Sequence, residues 1–214
     1  MFYSEKEAEN FLEKNGFSVV KRGCAEDEKE LEKALKGFRF PVVMKVSGKT
    51  IVHKNMLGGV IGDVFTFRGA LESFEKLKKI KGFEGVIIQE QLGVKEMNSS
   101  KLGQIKGKEV LIGVKKTKDF GHAICVGTGG VNTEKMKDVS FRIFPFDSRE
   151  AEKMILETKI SKNLGKEERK AVEENIMKVC NLIKKYPKIE ELDINPLIVN
   201  GSRAVVVDAR MVLE

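Results

Sequence analysis

Acidic and amide side chains recur near the end of the chain, within ELDINPLIV (191–199) and RAVVVDA (203–209). Both segments read as strands. The dipeptide Asn200-Gly201 between them is typical of a two-residue hairpin turn, because both residues tolerate a positive φ. A turn at this position places Asp193 opposite Asp208 on the neighbouring strand.

Asn195 shares a strand face with Asp193, since side chains alternate along a strand. Two facing carboxylates repel each other unless a cation lies near them. Oxygen ligands favour Mg²⁺, which commonly combines one or two carboxylates with the phosphates of a substrate. We therefore predict a Mg²⁺ site at Asp193, Asn195 and Asp208. The alternative is an exposed strand face with screened charges, and a three-residue loop would place the two aspartates on opposite faces.

Lys45 interrupts the apolar strand PVVMKV (41–46). An ammonium group inside an apolar strand is costly unless it finds a partner, and a phosphate would serve. The alternative is a lysine on a solvent-facing side of the strand. The sequence therefore marks Lys45 as a candidate phosphate ligand.

His53 and Lys54 lie in a polar stretch that ends at Gly58-Gly59. A glycine pair permits close approach of the backbone to a phosphate, and a histidine in such a loop can accept a phosphoryl group as a nucleophile. The alternatives are a plain turn and a surface histidine.

The segment GTGG (127–130) follows a strand, where a phosphate-facing turn would lie. It matches neither the dinucleotide pattern GxGxxG nor the Walker A motif. Glu134, Asp138 and Arg142 follow at a spacing of four residues. Arg142 is a candidate phosphate clamp, and simple ion pairs among the three residues are the alternative.

Helices and strands alternate along the chain, which indicates an α+β (α/β) fold class. Ser4 and Glu7 form a capping box ahead of the first helix. Further helices are expected at 27–36 and 69–79, with two more within 148–185. Strands are expected at 17–20, 41–46, 58–64, 86–92, 109–116 and 122–126, besides the two at the end. A polar connector at 93–108 predicts two lobes, 1–92 and 93–214.

The net charge is +7, and all of this excess lies in residues 41–140, which carry 17 basic and 10 acidic side chains. This indicates an anionic ligand, either nucleic acid or a phosphate compound, with a solvated lysine surface as the alternative. The three separated cysteines predict neither a disulfide framework nor a zinc site, so a reducing cytoplasm is expected. No apolar run approaches the roughly 18 residues that span a membrane. The excess of lysine and glutamate is compatible with a thermophile.

The motifs together resemble the ADP-forming (NDP-forming) acyl-CoA synthetases. FPVVMKV with VHKNMLGGV resembles that family's phosphate-binding lobe, and VIIQEQL resembles its hinge. GTGGVNTEKMKDVSFR is similar to its glycine-rich segment, and ELDINPLIV with VVVDAR to its metal-binding end. The resemblance covers nearly the whole chain in the same order, and the length is similar to that of separate archaeal β subunits. Thr128 stands where the family usually has leucine.

The resemblance implies an ATP-grasp fold, whose two lobes clasp ATP or ADP. It implies a reversible reaction in which acyl-CoA, ADP and phosphate give free acid, CoA and ATP. It further implies a set of nucleotide-binding residues, namely Lys45, Lys54, Gly58, Gly59, Glu90, Glu109 and Arg142.

The resemblance also implies Mg²⁺ ligands at Asn195 and Asp208, with Asp193 beside them. His53 would be catalytic, carrying a phosphoryl group to ADP from a phosphohistidine on another subunit. Nothing in the chain looks like a CoA-binding Rossmann segment. A CoA-binding α subunit, in an α2β2 assembly, is therefore the expected partner.

Two alternatives stay open. The chain could serve another carboxylate–CoA ligase, of the succinyl or malyl type, although the His53 loop favours an enzyme that shuttles phosphate through histidine. It could also be a non-catalytic basic module that binds nucleic acid. The small number of large aromatic residues, two Tyr and no Trp, argues against base stacking.

Overall fold

The computed structural model describes residues 1–48, 51, 54, 56–92, 107–130 and 137–214. The chain divides into two compact units. One unit comprises Met1–Val19 and Lys106–Glu214, and we call it the discontinuous unit. The other comprises Val20–Ile105, and we call it the inserted unit.

The elements follow one another in the chain as β1 (Phe2–Tyr3), α1 (Glu5–Lys14), β2 (Arg22–Ala25), α2 (Glu28–Leu35), β3 (Val42–Ser47), β4 (Val60–Val64), α3 (Phe67–Leu77), β5 (Gly85–Glu90), β6 (Lys108–Thr117), β7 (Gly121–Thr128), β8 (Val139–Ile143), α4 (Ser148–Leu156), a 3₁₀ helix (Ile160–Asn163), α5 (Lys166–Lys185), β9 (Ile189–Asn200), β10 (Arg203–Val206) and β11 (Ala209–Leu213). No helix among the described residues is both long enough and apolar enough to cross a membrane.

The inserted unit is built on an antiparallel sheet with the strand order β2-β5-β3-β4. Leu31 of α2 and Phe74 of α3 pack with Met44 of β3 and Ile88 of β5 in one apolar core. Because side chains alternate along a strand, Lys45 points to the sheet face opposite this core.

The discontinuous unit contains a larger antiparallel sheet, in the order β1-β11-β9-β6-β7-β8, with β10 paired to the last part of β9. Helices α1, α4 and α5 cover one face, where Leu12, Met154 and Ile176 pack with Ile112 and Ile194. The other face carries Glu109 and Asp193, since side chains alternate along a strand.

The first residues of the chain pack with its last strand. The capping box is confirmed: the Ser4 hydroxyl accepts from the Glu7 N–H, and the Glu7 carboxylate accepts from the Ser4 N–H at 2.8 Å. Phe2 pairs with Val212, and α1 buries Leu12 in the core of the discontinuous unit. Met1–Val19 therefore groups with residues 106–214, which differs from the predicted lobe 1–92. The expected strand at 17–20 is reduced to one isolated bridge at Val19.

The hairpin between β9 and β10 turns one residue later than predicted. Asn200 pairs with Arg203, so the two turn residues are Gly201 and Ser202. Gly201, at the first central position, has a φ of +56°, as a type II′ turn requires. The predicted final strand at 203–209 is in fact two strands, β10 and β11, and both pair with β9.

Candidate functional site

The glycine-rich turn after β7 lies against the start of β6. The Gly129 N–H donates to the Glu109 C=O at 2.8 Å. Gly130 has a φ of +85°, and a Cβ atom at this position would overlap the Glu109 carboxylate. The left-handed backbone therefore favours glycine at 130, and a side chain there would also displace the Glu109 carboxylate.

Asn195 joins this turn from β9. Its Oδ1 atom accepts a hydrogen bond from the Gly130 N–H at 2.7 Å, and its backbone N–H donates to the Asp208 C=O at 3.0 Å. The fold thus places Glu109 and Asn195 beside Gly130, and the backbone of Asp208 beside Asn195. We call these four residues the oxygen cluster.

Asp193 is placed differently from the prediction. It pairs with Arg210 rather than with Asp208, because the hairpin turn lies one residue later. Although part of the side chain is exposed, desolvation by the surrounding protein raises the pKa of the Asp193 carboxyl, and the charge of Arg210 opposes this rise. The predicted repulsion between two facing aspartates is therefore wrong, and a cation is not needed to offset it.

Asp138 anchors the glycine turn from its other side. Its carboxylate accepts hydrogen bonds from the Thr128 hydroxyl (2.6 Å), the Lys159 N–H (2.6 Å) and the Ile160 N–H (3.0 Å). Burial alone would raise the pKa of the Asp138 carboxyl, but these three donors outweigh burial and hold the pKa below its ordinary value. Asp138 therefore connects Thr128 of the turn to the start of the 3₁₀ helix.

Arg142 forms ion pairs with two glutamates. Its guanidinium pairs with Glu157 at 2.6 Å and with Glu150 at 3.3 Å. The hydrogen bond from Arg142, together with one from Ser140, lowers the pKa of Glu157 to about 2. Arg142 therefore forms ion pairs, as the alternative interpretation predicts. Its partners are Glu157 and Glu150, however, and not the residues at the four-residue spacing. We therefore leave Arg142 out of the nucleotide site proposed below.

Lys45 is buried in the sheet of the inserted unit, where it is only 6% exposed. It pairs with Val60 on one side and Ile87 on the other. The solvent-facing alternative for Lys45 is therefore excluded.

The glycine pair at 58–59 forms a turn against β3. Gly58 has a φ of +64°, and a Cβ atom at Gly59 would lie 2.5 Å from a methyl group of Val46. The Gly59 N–H donates to the Lys54 C=O at 2.7 Å, and the Gly59 C=O accepts from the Val46 N–H at 2.8 Å. The positive φ at Gly58 and the close packing at Gly59 account for glycine at both positions.

Glu90 ends β5 and forms an ion pair with Lys21, whose Nζ lies 3.5 Å from the Glu90 Oε1. The Glu90 N–H also donates to the Lys21 C=O at 3.1 Å. His53, the predicted catalytic residue, lies outside the described residues.

The proximity of Glu109 and Gly130 is not among the predictions made from the sequence. The missed evidence is the hairpin of β6 and β7, in which Thr117 pairs with Gly121. Counting back from this pair sets Glu109 opposite Gly129, next to Gly130. The role of Asp138 was missed because its partners Lys159 and Ile160 lie 21 and 22 residues further along the chain.

Each unit consists of an antiparallel sheet packed against helices. This architecture occurs in a known class of nucleotide-binding protein. The ATP-grasp domain family matches residues 2–213, and the chain belongs to this family. The predicted fold is thereby confirmed, and the family match favours the nucleotide-binding interpretation over the nucleic-acid one.

Among curated relatives, the ADP-forming acetate–CoA ligase II of Archaeoglobus fulgidus is 39% identical over 100% of this chain. The chain spans only 30% of that protein. The β subunit of the ADP-forming acetate–CoA ligase I of Pyrococcus furiosus is 34% identical over 98% of this chain and 90% of the subunit.

Solved structures of the dinucleotide-forming acetyl-coenzyme A synthetase 1 of Ca. Korarchaeum cryptofilum are also similar. The complex with coenzyme A, Ca-AMPCP and HgCl⁺ has a TM-score of 0.85 and 27% identity over 100% of this chain and 93% of that chain. A complex with coenzyme A and Mg-AMPPCP has a TM-score of 0.80, 25% identity and the same coverage, and its phosphohistidine segment points towards the nucleotide-binding site.

Proposed function

We propose that this chain is the nucleotide-binding β subunit of an ADP-forming acyl-CoA synthetase. In the direction of ATP synthesis, acyl-CoA, ADP and phosphate give the free acid, CoA and ATP. The observation that carries the proposal is the match to 90% of a separate β subunit, by a chain that spans only 30% of the longer ligase. A CoA-binding α subunit would supply the acyl chemistry, in an α2β2 assembly.

Each unit contributes to nucleotide binding in this proposal. In the inserted unit, Lys45 contacts the phosphates, and Lys54, the turn at Gly58-Gly59 and the hinge residue Glu90 complete that side. A phosphate interacts more strongly with a buried ammonium than with one in water, because the surrounding dielectric constant is lower. The burial of Lys45 supports this assignment.

In the discontinuous unit, Glu109 faces the nucleotide, and Asn195 with Asp208 would hold Mg²⁺. Within the described ranges, no three His, Cys, Asp or Glu side chains are grouped to hold a metal by themselves. Mg²⁺ usually binds through one or two protein carboxylates and completes its shell with phosphate oxygens and water, so the hard oxygen donors of Asn195 and Asp208 fit it. When bound, the ion neutralises charge on the phosphates during phosphoryl transfer.

His53 carries the phosphoryl group. A ring nitrogen of His53 attacks the phosphorus of a phosphohistidine on the α subunit, the old N–P bond breaks, and the α histidine leaves as free imidazole. A β-phosphate oxygen of ADP then attacks phospho-His53, which releases free His53 and ATP. Asn195, held by Gly130, orients the acceptor phosphates for this second step.

The nucleotide site is tested by thermal denaturation with ADP and Mg²⁺. ADP should raise the Tm of the wild-type chain only when Mg²⁺ is present, and Asp208→Ala should remove this rise. Asp193→Asn is the matched control, because Asp193 faces Arg210, and it should keep the full Mg²⁺-dependent rise. An unchanged rise in Asp208→Ala would contradict the assignment.

The reaction is tested by reconstitution. The chain is mixed with the source organism's CoA-binding α subunit, acetyl-CoA, ADP, phosphate and Mg²⁺, and ATP release is measured. His53→Ala should abolish ATP release while the ADP-dependent rise in Tm persists. Wild-type turnover in His53→Ala would refute the shuttle, and no ATP from the wild-type chain across a panel of acyl-CoA substrates would refute the proposed function.

A further inference from the structure

An exposed apolar stripe runs along β8 in the discontinuous unit. Val139, Phe141 and Ile143 lie on one side of the strand and are 47%, 65% and 41% exposed. The residues between them, Ser140 and Arg142, face the helices and bond to Glu157. This strand therefore buries its polar side and exposes its apolar side, the reverse of an ordinary surface strand. We call the three exposed residues the β8 stripe.

The stripe continues onto the neighbouring strand. Cys125 pairs with Phe141, and Ala123 pairs with Ile143, so β7 adds two small apolar side chains to the same sheet face. Further across, beyond Gly113, this face becomes charged at Asp193 and Arg210. An apolar centre with a charged margin is the usual composition of a protein–protein interface.

The backbone of β8 favours side-chain packing over strand addition. Among the described strands, β8 pairs with β7 and forms an edge of the sheet. Its register directs the N–H and C=O groups of Val139, Phe141 and Ile143 away from β7. However, the Phe141 C=O accepts a hydrogen bond from the Arg142 guanidinium at 2.9 Å, which blocks the middle of this edge.

The comparisons indicate which partner needs such a surface. The Archaeoglobus ligase carries more than twice as much chain outside the matched part as within it, joined covalently. The Pyrococcus relative is a separate β subunit, and a separate subunit is held to its partner by non-covalent contact. Apolar surface is the main source of affinity in such contacts.

We infer that the β8 stripe is the surface on which apolar side chains of the CoA-binding α subunit pack, with Phe141 as the central anchor. This inference rests on the proposed function and adds the location of the interface. The nucleotide site accounts for neither Val139 nor Phe141, although both belong to the motif DVSFR. Aromatic residues at the centre of an interface commonly carry most of its binding energy.

Binding of the α subunit to the wild-type chain and to Phe141→Ser, measured by isothermal titration calorimetry, tests the inference. The Kd should rise at least about tenfold in Phe141→Ser. Phe120→Ser is the matched control, because Phe120 is 69% exposed in the turn between β6 and β7, and its Kd should change less than about twofold. Val139→Thr, which keeps the side-chain shape, serves as a second variant if Phe141→Ser does not fold, and its Kd should also rise.

The outcomes separate the two proposals. If the wild-type chain binds no α subunit, the proposed function fails. If wild type and Phe141→Ser bind with equal Kd while the ADP-dependent rise in Tm is normal in both, this inference fails alone. A wild-type chain that sediments by itself as a dimer, and a Phe141→Ser chain that sediments as a monomer, would overturn it too, because the stripe would then bind a second copy.

Discussion

Replacing Asp138 by asparagine tests the anchor of the glycine turn. The substitution keeps the shape of the side chain but removes its charge and turns one acceptor oxygen into an NH₂ donor. Three donors converge on this carboxylate, one from Thr128 and two from the backbone at Lys159 and Ile160. The Asp138 side chain is only 5% exposed, so water does not replace the lost acceptor.

The magnitude follows from the three hydrogen bonds. A hydrogen bond to a charged group contributes about 1.5–3 kcal/mol and a neutral one about 0.5–1.5 kcal/mol, so each bond loses roughly 1 kcal/mol. Asp138→Asn should therefore lower the free energy of unfolding by about 3 kcal/mol. For a chain of this size, 1 kcal/mol corresponds to about 2–4 °C, so the Tm should fall by about 6–12 °C.

The assay is urea denaturation of wild type and Asp138→Asn between pH 7 and pH 3, with the exposed Asp119→Asn as control. Because the folded-state pKa of Asp138 lies below its ordinary value of 3.8, its contribution to stability is complete above pH 3.8 and is lost as the pH falls further. The gap between wild type and Asp138→Asn should narrow accordingly, and Asp119→Asn should match wild type throughout. A gap below about 1 kcal/mol at pH 7, or one that persists unchanged at the lowest pH, would refute the reasoning.

Three further predictions concern other sites. Gly130→Ala places a side chain on a left-handed backbone and against Glu109. Mg²⁺-dependent ADP binding, measured by calorimetry, should therefore weaken about tenfold or more. Unaltered affinity would contradict the described approach of Glu109. Glu157→Gln removes a carboxyl whose pKa is lowered to about 2, chiefly by Arg142. Wild type should lose stability as the pH falls from about 4.5 to about 2, because this carboxyl becomes protonated. In acid denaturation, the variant should lose less stability over the same pH range. Ser4→Ala removes an N-cap and should cost about 1 kcal/mol, or about 2–4 °C in Tm by calorimetric scanning, while Ser4→Asp should restore it.

The sequence predicts local structure well wherever neighbouring residues decide it. The capping box at Ser4 forms as expected, and the helix predicted at 27–36 is found at Glu28–Leu35 with Asp27 as its N-cap. In both cases, the side chain and the backbone N–H that it accepts from are three residues apart. Interactions of this range are independent of the rest of the fold.

The hairpin shows where local reasoning fails. Asn-Gly and Gly-Ser both suit two-residue turns, and the choice between them moves the partner of each β9 residue by two positions. The structure uses Gly201 at the first turn position, and Asp193 consequently meets Arg210 instead of Asp208. Since β9 is also paired with β6, contacts outside the hairpin help to decide its register.

The surroundings of charged side chains follow less directly from the sequence than helices and strands do. Lys45 is only 6% exposed although the helices of the inserted unit cover the opposite face of β3, and strand alternation alone does not predict this burial. Arg142 finds Glu157 across a strand-to-helix connection, so the four-residue spacing that suggested other partners was irrelevant. Both outcomes depend on tertiary packing, which spacing along the chain does not contain.

The pairing of β1 with β11 sets an order for folding during synthesis. The inserted unit is complete once residue 105 has left the ribosome, whereas the discontinuous unit waits for its last strand, Ala209–Leu213. Until then α1 lacks β11, the strand on which it mainly packs. We therefore expect the sheet of the inserted unit to fold first on the ribosome, and the oxygen cluster to form only after Ala209–Leu213 has been synthesised.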